Sequence, residues 1–157
     1  MMNSAFFQTP FFLSLTIGVP FCIFKILFGV LSVRVGESEG FGPLQAAGFV
    51  IIIWACADLL MNMIRASLDL MGNSNEIEFC TLAQAGRILK APAVFLALDT
   101  VITFAIICFV LWSGWIVRFV QIESYLWYFA TTLNLISLSL VGLYTELIRY
   151  QDLKKST

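Results

Sequence analysis

A chain of 157 residues with 60% hydrophobic and 12% charged side chains, at a mean hydropathy of +0.92, has too little polar surface to cover a globule in water; a soluble domain keeps roughly a quarter of its residues charged. A net charge of −1 offers no electrostatic basis for a nucleic-acid partner. Histidine is absent, which excludes haem held by paired imidazoles, His-ligated zinc and catalysis by an imidazole base.

The apolar residues fall into four blocks, at about 10–33, 44–65, 91–117 and 125–148. Each is long enough to cross about 30 Å of hydrocarbon as a helix of about 20 residues. A helix satisfies its own backbone hydrogen bonds where water is absent. The expected fold is therefore all-α: four transmembrane helices in an antiparallel bundle, forming one domain over residues 1–157. The first block is not read as a cleaved signal peptide, because no Lys or Arg precedes it and no A-x-A site follows. A glycine-rich loop, RVGESEGFG at 34–42, leads to the second block, whose helical pattern can continue to Leu70 before Gly72 breaks it.

The longest connection, at about 66–91, holds Asn75 followed by Glu78, the spacing of a capping box. It predicts a short cytoplasmic helix that starts within two residues of Asn75, lies on or just outside the membrane and stops before Pro92. Pro92 suits the first turn of the third block. A tight loop at 118–124 joins the last two blocks, and a short polar tail ends the chain.

Basic residues set the expected orientation. Arg65, Arg87, Lys90, Arg149, Lys154 and Lys155 fall on the face that carries both termini, against Arg34 and Arg118 on the other. Cytoplasmic termini and a cytoplasmic middle loop follow, in a bacterial-type inner membrane. Trp112, Trp115, Tyr125, Trp127 and Tyr128 are expected in an aromatic belt at the outer interface, and Phe6, Phe7, Phe11 and Phe12 at the inner one.

Polar residues inside apolar blocks carry the functional question, since an ionisable group at a span centre costs at least about 2.5–3.5 kcal/mol. Lys25, Asp58, Asn62, Arg65, Asp99 and Asn134 form the candidate intramembrane polar and ion-pair site. Asp58, Asn62, Arg65 and Asp69 share one face of a helix, extended outward by Trp54 and Ile51. Rise arithmetic puts Asp58 and Asp99 at similar depth, where facing carboxylates could share and shuttle a proton. A lysine side chain leans toward its helix N-terminus, which directs Lys25 toward the level of Asp58; snorkelling to the outer interface is the equal alternative. Pro20 removes an N–H and frees the Thr16 carbonyl. Thr131, Asn134 and Ser137 share one side of the last span, and Ser139, Gly142 and Glu146 another, as small and polar residues do at helix contacts.

Nothing in this set forms an enzyme site. The cysteines Cys22, Cys56, Cys80 and Cys108 are scattered, with no C-x-x-C for a thiol oxidase. The arginines are not clustered as a glutathione-handling enzyme would need, and the first span carries Lys25 where small multidrug exporters have an acid. The expectation is a structural or accessory subunit, or assembly factor, of a membrane complex or homo-oligomer. Its partners would be the lipid bilayer and other membrane subunits or itself, with no cofactor, metal or catalytic residue. An oligomeric ion- or proton-translocating protein using the carboxylates is the alternative.

Overall fold

The computed structural model describes residues 7, 9–72 and 77–155, and among these the chain is entirely helix and connecting turn. Helix α1 runs Pro10–Ser38, α2 Gly42–Leu70, α3 Thr81–Ile88, α4 Pro92–Trp112 and α5 Gln121–Lys155. All but α3 are long and apolar enough to cross a membrane. The fourth apolar helix, α5, starts at Gln121 rather than 125, and the third, α4, stops at Trp112 rather than 117. Gly114, in the left-handed region at φ 73°, ends it and leads into a 3₁₀ turn, Trp115–Arg118.

Local chemistry sets the ends of each helix. Thr9 caps α1 by accepting the Phe12 N–H at 3.2 Å, and Pro10 occupies the first turn. Residues Ser14–Gly18 widen into a π turn ahead of Pro20, with the Val19 N–H donating to the Ser14 carbonyl. At the far end Phe41 N–H reaches Gly36 O at 2.8 Å and Gly40 N–H reaches Glu37 O. That pairing is a Schellman closure, and it puts Gly40 at φ 66°. Glu123 accepts the Val120 N–H at 3.0 Å, half of a capping box at the start of α5.

The loop helix departs from expectation. Asn75 lies outside the described residues, and Glu78 is not helical. The cap is Cys80, whose sulfur accepts the Ala83 N–H at 3.4 Å, so α3 begins at Thr81. Its first residue meets Asp58 on α2. That contact lies about twelve residues, or about 18 Å, back from the end of α2 at Leu70. The connection thus folds back into the helices instead of resting beyond them.

Helix α1 is the central element, buried over most of its circumference from Pro20 to Gly36 with Ile23, Ile26, Val30 and Val33 half-buried along one side, and α2, α4 and α5 all pack against it. Its backbone lies closest to α2. A Cβ on Gly29 would come within 2.9 Å of the Gly48 carbonyl oxygen, and one on Gly48 within 2.7 Å of the Gly29 oxygen. Each outer helix turns one narrow stripe inward: Ala55, Asp58, Asn62 and Ala66 on α2, Asp99, Thr103, Ile106 and Val110 on α4, Glu123, Trp127, Ala130, Asn134 and Ser137 on α5. Trp127 belongs to this core, 3% exposed and packed on Phe24 and Phe119, not to an interfacial belt. Trp112, Tyr125 and Tyr128 are exposed.

Candidate functional site

Lys25 stands between two carboxylates. Its ammonium donates to Asp58 Oδ2 at 2.8 Å and to Asp99 Oδ1 at 2.5 Å, and sits 4.4 Å from the centre of the Trp54 ring. Its third donor direction therefore has a π face to meet. Lys25 is 0% exposed and does not snorkel, while Asp58 and Asp99 are 1% and 4% exposed. The aspartates do not face each other directly; the ammonium lies between them.

The other oxygen of Asp58 is taken by the start of α3. Thr81 donates its backbone N–H and its hydroxyl to Asp58 Oδ1, each at 2.7 Å, and the hydroxyl in turn accepts Trp54 Nε1–H at 2.8 Å. A carboxylate at a helix N-terminus also gains from the helix dipole. One network thereby ties α1, α2, α3 and α4 together. Sequence reasoning did not include Thr81, because its place against Asp58 depends on the fold-back of a polar loop.

Arg65 does not reach the triad. It pins the incoming loop instead, donating to the Ile77 carbonyl, pairing with Glu78 at 3.7 Å and covering the Phe79 ring at 3.7 Å. Asp69 accepts the Phe11 N–H at 2.8 Å and so caps the start of α1 from another helix. Asn62 donates to the Asp58 carbonyl at 3.0 Å and to Cys22 Sγ at 3.7 Å, with its own oxygen close to Gly18 and without a hydrogen-bond partner. Asn134 lies apart from this group, facing α1 from α5, and its side-chain oxygen is likewise buried and unpartnered.

A cavity of about 180 Å³ adjoins the triad. Leu13, Ile17, Phe21 and Leu96 form apolar walls, and Lys25, Asp58, Asn62 and Asp99 its polar end. Cys80 borders it, and burial pushes the Cys80 thiol up to about 12. Among the described residues no group of three or more Cys, Asp or Glu could hold a metal ion.

A second polar cluster closes the opposite end of α1. Arg34 grips both oxygens of Glu123, at 2.5 and 3.1 Å, and Arg118 pairs with Glu39 at 3.3 Å. Glu123 gave no sequence signal beyond its place near a helix start. Compared with known protein-family models, curated proteins and solved structures, the chain matches none.

Proposed function

We propose that the chain is an integral membrane protein, one domain of four antiparallel spans with both termini in the cytoplasm of a bacterial-type cell. In this reading it is a non-enzymatic structural or accessory subunit of a membrane complex or homo-oligomer. The observation that carries it is the inversion of polarity. Asp58, Asn62, Asp99, Thr103, Asn134 and Ser137 point inward, whereas Val50, Ile53, Leu60, Val101, Leu135 and Leu143 are exposed. A helix cluster in water does the reverse. With Lys25 and Asp58 saturated by partners from the same chain, the interior supports a locked scaffold whose outward faces meet lipid or neighbouring subunits.

Purification in a mild detergent followed by native mass spectrometry tests this reading. A stable companion or a defined homo-oligomer that passes no ions in vesicles is expected; an oligomer that delivers ion flux would replace this reading, and a strict monomer would overturn it. Translocation is the second reading, favoured by one specific feature: two carboxylates share a single ammonium beside a cavity. There Asp99→Asn would assemble normally yet abolish proton or cation flux.

A further inference from the structure

We propose that the cavity beside the triad binds a lipophilic primary ammonium, with Asp99 as the partner of its charge. With both carboxylates ionised, two acids against one ammonium leave the buried cluster one positive charge short, a deficit that a proton on Asp99 or a second cation fills. A buried charge without a counter-charge is strongly disfavoured. The shortfall rests on Asp99. Asp58 already accepts from Lys25 and twice from Thr81, at the start of a helix. Asp99 has the shared Lys25 and, beside it, the Cys80 thiol, a weak neutral donor that brings no charge.

The surroundings select the kind of cation. Asp99 lies on the cavity wall together with Asn62, which is 2% exposed and holds an unpartnered oxygen. The rest of the wall includes Leu13, Ile17, Phe21 and Leu96. Calcium or magnesium needs six or more oxygen ligands or waters, and among the described residues no group of three or more Cys, Asp or Glu is placed to hold a metal ion. An ammonium needs only a few acceptors for its N–H donors, and an apolar body suits the remaining surface. Size agrees: a dry cavity of about 150 Å³ already binds benzene, and this one is about 180 Å³. The half-buried Leu13, Ile17, Leu96 and Thr100, on α1 and α4, leave a way for a longer chain to extend outward.

Binding of hexylammonium to the intact protein in nanodiscs, read by thermal shift and by titration calorimetry, tests the proposal, with hexanol as the uncharged probe of the same length. Hexylammonium should raise the midpoint saturably and bind about tenfold or more tightly than hexanol. Asp99→Asn, which leaves Lys25 and Asp58 paired, should remove that preference. Leu96→Trp, which fills the cavity and keeps all three charged side chains, should weaken hexylammonium by a similar factor and decides the matter if Asp99→Asn does not fold. Equal binding of the two probes overturns the proposal, as does undiminished hexylammonium binding in either folded variant.

Discussion

With Lys25 replaced by methionine, two carboxylates are left buried without a cation; with either aspartate replaced by asparagine, one balanced pair remains. Lys25→Met should therefore be the most damaging change in the triad, at about 3–5 kcal/mol, the usual result of stranding a buried charge. Asp58→Asn should come next, at about 1–3 kcal/mol. An amide has one acceptor oxygen, so its NH2 must face either Lys25 or the Thr81 N–H, and both are donors. Asp99→Asn should be mildest. Denaturant unfolding in one detergent checks the order, and an Asp58→Asn variant as stable as the parent would contradict the network. The acids and the lysine were legible because each interrupts an apolar block; rise arithmetic gave the two acids a similar depth but left Lys25 equally between pairing and snorkelling. Thr81 was not legible, since no periodicity records which loop residue returns to the interior. Cys80 makes a separate prediction. Its thiol, ordinarily near 9 and held up to about 12 by burial, keeps its proton more tightly folded than unfolded. Its contribution to stability is whole below pH 9 and lost as the pH rises toward 12. Iodoacetamide at pH 8 should leave Cys80 unmodified in the folded protein and alkylate it after unfolding, as peptide mapping would show.

At the scale of elements, the helix ends explain both what sequence reading recovers and where it fails. Apolar length and the prolines at positions 10, 43 and 92 locate the starts of α1, α2 and α4. The start of α3 was hidden, because its cap is a cysteine and the conventional Asn-x-x-Glu signal sits a few residues upstream. Its end is also unconventional. Ala91 N–H reaches Gly86 O at 2.9 Å and Lys90 N–H reaches Arg87 O, a Schellman closure that puts Lys90 at φ 57°. A left-handed non-glycine residue costs about 1–2 kcal/mol, and the extra chain entropy of glycine returns about 0.5–1 of that. Lys90→Gly should thus stabilise the protein by about 0.5–1 kcal/mol, visible as a rise of about 1–4 °C in the unfolding midpoint. Gly48→Ala should do the opposite. The added methyl meets the Gly29 carbonyl oxygen at 2.7 Å and Val33 at 2.8 Å, backbone and side chain of the central helix, and α1 must move away. Overpacking of this sort costs about 1–3 kcal/mol, and the same unfolding assay would register it as a lowered midpoint.

For the molecule as a whole, the two ends of the helix cluster differ in how their arginines and lysines are used, and this bears on orientation. Arg34 and Arg118 sit at one end, tied to Glu123 and Glu39. The other end brings together the start of α1 and the end of α2, through Phe11 and Asp69, and the sequence places Arg65, Arg87, Lys90, Arg149, Lys154 and Lys155 toward it. The rule that orients membrane proteins counts lysines and arginines near the span ends, not net charge, so the acids paired with Arg34 and Arg118 do not alter the six-to-two difference. Dragging the richer end across the bilayer is the costlier insertion, and the proposed topology keeps it in the cytoplasm. Single cysteines in a background with all four native cysteines replaced give the test. Glu39→Cys should react with a membrane-impermeant maleimide added to intact cells, because its side chain is exposed at the arginine-poor end. Lys154→Cys should react only after the membrane is opened. Labelling in the reverse pattern would invert the orientation while leaving the helices as they are. Labelling of both positions from outside would mean an odd number of crossings, and α4, the shortest of the four at 21 residues, would then be the first helix to question.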